Sequence, residues 1–476
     1  MNRAPIPVLN PRTGRVDHAI TPLSAAEVAA AAARLRAAQP AWAALGAEGR
    51  AAMLMRFAAR LGAHAPAIAA ALEADTGRRR VSALEVESVV GMLRRWASTA
   101  PALIAGAETE GSAAIPGIGW RVSLSPYALV GVISPWNFPL LLALTDAIPA
   151  LAAGSAVLVK PSEVTPRFIA PLKSALAEVP ELSAVLDLVE GDGETGAALA
   201  GAVDFIAFTG SVATGRKVGE AAARAFIPAS LELGGKDPLI VLAGADPEKA
   251  AAIALSASCR ATGQACQSIE RIYVAAPLFE AFRDALVAQA QAIRPNHPDI
   301  ASGDLGPFIH APQALLVQAQ IDDAVAAGAT LHCGGRLLDL DGGKWLMPTV
   351  LTGVTHAMRL MQEETFGPVL PLMPFETEDE AVELANDSAF GLSAAVVAGS
   401  LAQAEAVALR LNAGAVSLND GALTSLLSDA PKSSFGHSGL GPSRAGPEGL
   451  LRFLRRRALY RQGGQPLPLS AFSEAG

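Results

Sequence analysis

A thiol, a carboxylate and a side-chain amide, each set in a distinctive string, are residue types that could act together on a carbonyl. Cys266 closes the string Gly263-Gln264-Ala265-Cys266, and Glu232 opens Glu232-Leu233-Gly234-Gly235-Lys236, 34 residues earlier. Further upstream, Asn137 lies inside Pro135-Trp136-Asn137-Phe138-Pro139. A cysteine is intrinsically very nucleophilic, although only a small fraction is thiolate near neutrality. A helix N-terminus or a nearby cation raises that fraction. Amide N–H groups steady the oxyanion that such an attack creates, and a carboxylate takes a proton from the water that releases the product. These are the three groups that oxidation of an aldehyde through a covalent thioester requires.

Each group has a plainer use as well. Cys259 and Cys333 have no flanking motif and read as small buried hydrophobes. Asn137 could also cap a helix. Glu232 ends the apolar stretch Ile227–Leu233, where a carboxylate needs a reason to be. Gly234-Gly235 tolerate positive φ and the close approach of a flat ring, or form an ordinary tight turn.

The elements that must position these groups alternate in type. Ser24-Ala25-Ala26-Glu27 has capping-box spacing, and the helix it opens is expected to stop before Pro40. A second helical region covers Ala51–Asp75 and ends near Gly77, and a third covers Glu85–Trp96. Strands then follow at Leu129–Ser134, Ala156–Lys160 and Asp204–Phe208. Helices are expected after the first strand, near Pro166–Val179, and over Ser211–Arg224. This pitch reads as a parallel sheet covered on both faces, with ligands beyond the carboxyl ends of its strands. Asn137, Lys160 and Gly210-Ser211 fall there. A second α/β unit opens with the strand Pro238–Leu242. No GxGxxG follows a strand, but Gly210-Ser211 at a helix start offers free N–H groups to a pyrophosphate.

Length and composition narrow the class. A chain of 476 residues needs two or more cores. Its 51% hydrophobic and 17% charged content fits a compact protein with a large interior or large subunit contacts. A net charge of −8 argues against nucleic acid and anionic membrane surfaces as partners. The most apolar stretch, Phe138–Val159, is interrupted by Thr145, Asp146 and Pro149, so it reads as buried helix and strand rather than as a membrane span. No apolar signal region opens the chain, and three cysteines do not suit a disulfide framework; a reducing cytoplasm is the expected setting. The runs Arg78–Arg80 and Arg455–Arg457 read as solvated helix ends or subunit contacts. No histidine has metal-ligand spacing, so no catalytic metal is expected.

PWNFP, KPSE, FTGS, ELGGK, GQAC and EETFGP, in this order and spacing, resemble the aldehyde dehydrogenase superfamily from about residue 8 to about 460. The resemblance implies a Rossmann-like parallel-sheet cofactor domain (1–107 and 127–234) and a second α/β catalytic domain (235–423). It also implies a small β oligomerisation arm, made of the hairpin 108–126 and the C-terminal strand 455–476. There the tail would pair with the hairpin of a neighbouring subunit in a homodimer or homotetramer. Residues 424–454 would return to line a substrate tunnel. The implied cofactor is NAD. Trp136, Lys160 and Glu163 would serve its adenosine side, Gly210 and Ser211 the pyrophosphate, and Leu233 and Gly234 the nicotinamide. Glu364 would bind the nicotinamide ribose, and Phe366 would pack near the ring. Glu163 would repel a 2′-phosphate, which favours NAD over NADP. The Asn137 amide and the Cys266 N–H would hold the oxyanion, with Glu232 as general base.

The C-terminal motif departs from the family pattern of Pro-aromatic-Gly-Gly, Lys, then Ser-Gly-x-Gly-Arg-Glu. Pro431 and Ser438-Gly439-Leu440-Gly441 keep register. Lys432 replaces the aromatic, Ser433-Ser434 the glycines, Gly436 the lysine and Pro442-Ser443 the Arg-Glu, so a second, proton-relaying glutamate is missing. By register, Phe138, Leu142 and Thr145 would form one tunnel wall and Leu423, Leu426 and Leu427 the other, with Ala265 and Gln267 beside the nucleophile. Such walls suit a hydrophobic aldehyde, aromatic or long-chain. The string Ser-Gly-Leu-Gly-Pro-Ser-Arg is similar to a branch that includes carotenoid-aldehyde enzymes. Lys432 facing inward would instead recruit a carboxylate. Two other readings stand beside this one. In an acylating enzyme coenzyme A rather than water takes the acyl group, but those relatives typically lack the ELGGK glutamate. The other is a non-catalytic binding or structural protein that kept the fold.

Overall fold

The computed structural model describes residues 3–474, so residues 1, 2, 475 and 476 of the expected domains lie outside the described residues. After an antiparallel pair of strands, Ile6–Leu9 and Val16–Ile20, come four helices: Ala25–Ala44, Gly46–Ala63, Ala65–Thr76 and Arg79–Ala107. Ser24 caps the first with a full capping box. Contrary to the expectation, that helix runs through Pro40. An internal proline forfeits a helical hydrogen bond. Here the flanking side chains are tied to the first domain: Gln39 Nε2 donates to Gly154 O (2.8 Å) and Trp42 Nε1 to Leu151 O (2.9 Å). Tertiary anchoring outweighs local preference.

The first sheet has six strands in the order Gly439–Leu440, Ala229–Glu232, Phe205–Thr209, Leu129–Ile133, Ala156–Lys160, Leu186–Leu188. All neighbours run parallel except the outermost strand Gly439–Leu440. Three central strands are buried at every residue, which is why they read as continuous apolar runs instead of alternating ones. The second sheet has seven strands: Thr330–Cys333, Thr349–Thr352, Val369–Phe375, Ile269–Ala275, Asp237–Val241, Ala394–Val397 and Val416–Leu418. It is parallel but for the Thr330–Cys333 edge. Each sheet carries its own core, as the length requires.

A third sheet combines Glu110–Ser112, Ile118–Pro126 and Leu454–Gln462. Here one expectation is corrected: the tail strand pairs with the hairpin of its own chain, from Leu454 opposite Pro126 to Gln462 opposite Ile118. The cause lies just upstream. Leu450 and Phe453 are buried in the first core, and the Tyr127 N–H donates to Phe453 O (3.2 Å). The chain therefore emerges already beside Pro126. Residues 424–454 also contribute more than a tunnel wall, because Gly439–Leu440 completes the first sheet beside Glu232 and Leu231. Among the described residues no helix is long and apolar enough to cross a membrane.

Candidate active site

Cys266 lies in a turn between a 3-10 segment, Arg260–Gly263, and the strand Ile269–Ala275. Three consecutive residues before it, Ala261, Thr262 and Gly263, have left-handed φ of 51°, 62° and 67°. Such a run persists only when its surroundings over-determine it. Thr262 Oγ1 donates to Gly306 O (3.0 Å), and the fully buried Gln264 donates to Pro307 O (3.2 Å) while accepting from Ile309 N–H (2.9 Å). A Cβ on Gly263 would sit 2.4 Å from the carbonyl carbon of Gly367, so the nucleophile turn lies directly on the EETFGP loop.

Asn137 stands after the strand Leu129–Ile133 and is almost fully buried. Its Nδ2 donates to Gln264 O at 3.0 Å, which leaves its second N–H for another acceptor. The Cys266 N–H is engaged by no hydrogen bond among the described residues. Two donors for an oxyanion are therefore free. The backbone of Asn137 is gripped by Arg78, whose Nη2 donates to Asn137 O and whose Nη1 donates to Ala261 O (3.3 Å). This overturns the reading of Arg78 as a solvated helix end. It is 4% exposed, and burial pulls its pKa down to about 10 against the pull of Glu85. Gly77, at φ 65°, turns the chain so that Arg78 points into the junction of the two domains. That glycine was the only local signal.

Glu232 ends the strand Ala229–Glu232 and accepts from Ser434 Oγ at 3.3 Å. Burial pushes the Cys266 thiol up to about 12, and the carboxylates of Glu232, Glu364 and Asp237 add to the rise. Arg444 pulls the other way, but burial and the three carboxylates outweigh it and favour the neutral thiol.

On one side of Cys266 opens a cavity of about 240 Å³, walled by Asn137, Leu142, Gly210, Ser211, Leu233, Gly234, Glu364 and Phe366 together with Trp136 and Thr209. Ser211 caps the 14-residue helix Val212–Ala225 through its Oγ, so N–H groups of that first turn face the cavity end. The Glu364 carboxylate accepts from Gly235 N–H (3.2 Å) and lies where a Cβ on Gly234 would be, 2.5 Å away. Burial and then Glu270 push its pKa up to about 8. The Phe366 ring meets Trp136 edge-on at 5.4 Å. Phe366 also has a left-handed φ of 57°. Its loop is held by groups that the motifs did not single out: the buried Glu270 accepts from Thr365 N–H (2.8 Å), Phe366 N–H (2.7 Å) and Lys236 Nζ (2.9 Å). Lys160 and Glu163 are not on this wall; they pair with each other at 3.0 Å past the end of the neighbouring strand. Glycines cradling the wall, a helix start and the buried Glu364 carboxyl suit a dinucleotide, which Gly210, Ser211, Gly234, Glu364 and Phe366 would hold.

On the other side of Cys266 the arrangement differs from the expectation. Leu423, Leu426 and Leu427 do not wall an interior; they are 37%, 62% and 58% exposed. Their helix turns Thr424 inward instead, its N–H on Ser417 Oγ (3.3 Å) and its carbonyl on Lys432 Nζ (2.7 Å). Lys432 Nζ also donates to Gln267 Oε1 at 3.3 Å. Burial lowers the Lys432 pKa, opposed by Glu232 and Cys266. Phe138 is half-buried with its ring under the Arg78 guanidinium, 5.2 Å away, and Ala265 and Thr145 are half-buried beside the turn and the helix end. Next to Thr145, Asp146 is buried between Arg444 (2.7 Å) and Arg452. Burial alone would raise its pKa, but the two arginines carry it below the ordinary carboxylate value. Arg444 also donates to Thr209 Oγ1 (2.6 Å). Among the described residues no group of three or more His, Cys, Asp or Glu could hold a metal ion.

This cavity, with a thiol at its end and a dinucleotide cradle along its wall, belongs to a class of NAD(P)-linked oxidoreductases. The chain is a member of the aldehyde dehydrogenase family, whose model matches residues 1–459, and it is an NAD(P)-dependent aldehyde dehydrogenase. A curated relative from Mycolicibacterium smegmatis, provisionally named succinate-semialdehyde dehydrogenase (NADP(+)), is 40% identical over 93% of this chain and 86% of its own length. A 4,4'-diapolycopene aldehyde oxidase from Methylomonas is 40% identical over 80% of this chain and 71% of its own. Among solved structures, a provisionally named aldehyde dehydrogenase, PutA, from Anabaena variabilis has a TM-score of 0.95 and 50% identity, covering 98% of this chain and 99% of that one. Betaine aldehyde dehydrogenase from Staphylococcus aureus in complex with NAD+ has a TM-score of 0.92 and 31% identity, over 97% and 93% of the two chains.

Proposed function

We propose that the chain oxidises an aldehyde to the carboxylic acid with NAD+ through a Cys266 thioester that water releases. The observation that carries this reading is the meeting of Cys266 and Asn137 on the wall of one cavity with Gly234, Glu364 and Phe366. Cys266 Sγ gives its proton to solvent water and adds to the aldehyde carbon, whose carbonyl π bond breaks to leave the oxyanion. The oxyanion of the hemithioacetal takes the free Asn137 N–H and the free Cys266 N–H. NAD(P)+, when bound, supplies the hydride acceptor that turns the hemithioacetal into a thioester. Glu232, steered by Ser434, removes a proton from the attacking water, and the acid leaves as Sγ regains its proton.

NAD+ is favoured over NADP+ because Glu163 stands against the Lys160 ammonium, where a carboxylate repels a 2′-phosphate. Release by water is favoured over release by coenzyme A because Glu232 is present. The exposed outer edge of the strand Leu454–Gln462 supports the arm as the contact between copies of the chain in a homodimer or homotetramer. Relatives named for succinate semialdehyde and for a diapolycopene aldehyde span substrates from short and charged to long and apolar. The test is NADH formation from aldehydes without coenzyme A, with Cys266→Ala as the inactive control. Turnover that needs coenzyme A would replace the hydrolytic step, and NADH formation surviving in Cys266→Ala would end the reading.

A further inference from the structure

The return segment brackets the reaction centre with two side chains of different kinds. Ser434 reaches Glu232, and Lys432, two residues earlier, reaches Gln267. Gln267 directly follows the nucleophile. The Lys432 backbone is fixed as well, its N–H on Ser443 Oγ at 3.2 Å. The half-buried ammonium is thus held against Gln267, the residue after Cys266, and is not part of the dinucleotide cavity wall.

Its partners do not balance its charge. An ammonium carries three N–H donors. Two of them meet neutral oxygens, Thr424 O and Gln267 Oε1. No carboxylate among the described residues lies within ion-pair distance of it. Lysines drawn inward are nearly always paired, because a desolvated charge without a counter-charge is costly. The other cation near the thiol is already committed, since Arg444 meets Asp146 and Thr209. The leucines expected to make this side apolar are exposed rather than packed beside it. What remains on this side is an ammonium with a spare donor and no carboxylate within ion-pair distance, although Glu232 is near enough to act on it through its charge.

We propose that Lys432 is the receptor for a carboxylate on the substrate, so that the preferred aldehydes are short ω-oxo acids. The aldehyde carbon sits at Cys266 and the carboxylate on Lys432 Nζ, with the Gln267 amide free to add an N–H once its oxygen is held by the lysine. Gln267 directly follows Cys266, so neighbouring residues would hold the two ends of the substrate, which suits a short spacer. This rests on the aldehyde-oxidation reading and names its substrate class. A cation in this position could instead tune the charge of Cys266 and Glu232, and the two roles separate in the ratio of a charged to an uncharged substrate.

The experiment measures kcat/KM for succinate semialdehyde and for butanal on the intact protein, Lys432→Met and Lys432→Arg. The wild type should prefer the semialdehyde. In Lys432→Met the ratio of the two values should fall about tenfold or more, mostly through KM for the charged substrate, and Lys432→Arg should restore most of it. A wild type that prefers butanal, or a ratio that Lys432→Met leaves in place while both values fall together, would overturn the proposal. Succinate itself, titrated calorimetrically into wild type and Lys432→Met, keeps the two readings apart. If neither aldehyde is oxidised, the oxidation reading fails. Succinate binding that is lost in Lys432→Met would then still support the carboxylate site, and no binding to the wild type would sink it.

Discussion

The two sides of Cys266 are built by different means. On the cofactor side the wall joins backbone at Gly210, Gly234 and a helix start to the side chains of Trp136, Leu233, Glu364 and Phe366, and the loop carrying the last two has its N–H groups pinned by Glu270. On the substrate side the surroundings are side chains of a segment that returns from residues 424–454, with Lys432, Ser434 and Arg444 in place of the family pattern. Backbone-built recognition survives many substitutions but fails where a glycine is needed. Recognition built from side chains changes with single residues. One fold can therefore keep its redox partner while its substrate drifts.

The sharpest way to break this comparison is to remove what both sides share. Cys266→Ala should lower NADH formation by at least roughly 10³-fold, read as initial rate at saturating cofactor. Asn137→Ala should lower kcat by ~10²–10³-fold, since one oxyanion donor is lost, and the deficit should fall on kcat more than on KM. Gly263→Ala tests the backbone-built side. The left-handed φ and the 2.4 Å approach to Gly367 leave no room for a methyl, so the variant should bind NAD+ at least several-fold more weakly in a fluorescence titration. Unchanged binding would mean that the nucleophile turn does not brace the cofactor loop.

Two smaller effects sharpen the electrostatics. The Glu364 carboxyl, held up to about 8, is ionised at pH 9 and there pushes the thiol up. Glu364→Gln keeps an acceptor for the Gly235 N–H, so iodoacetamide should label Cys266 faster at pH 9, by up to about tenfold for each pKa unit removed. At pH 6 the two proteins should label alike. The smallest effect concerns the framework. Burial raises Asp75 and Glu85 to about 7 and Asp237 to about 8. A carboxyl raised in the folded state stabilises at low pH, and that contribution is lost as pH climbs through its folded value. Tm should fall from pH 6 to pH 9, and Glu85→Gln should flatten the fall.

The groups proposed to meet reactants were legible because each sits within a few residues of a glycine, a strand end or a helix start. Cys266, Asn137 and Gly210-Ser211 needed no knowledge of distant contacts. What holds them did. Arg78 looked like one of three surface arginines, and nothing local says that it crosses to Asn137 and Ala261. Glu270 and Lys236 lie 34 residues apart and meet only through the parallel pairing of their strands. The helix through Pro40 and the exposed Leu423, Leu426 and Leu427 went the other way from expectation for one reason: contacts far along the chain set the local geometry. The tail strand was misassigned to a neighbour because pattern alone does not say which copy of a hairpin is nearer, while buried Phe453 does.

The short strand Gly439–Leu440 carries a consequence for how the molecule is made. It seals the edge of the first sheet beside Glu232, yet it arrives more than two hundred residues after that glutamate leaves the ribosome. Until then a nascent chain has its nucleophile turn and its dinucleotide cradle, but its base lies on an open sheet edge with neither Ser434 nor Lys432 nearby. Enzymatic competence should thus switch on late in translation.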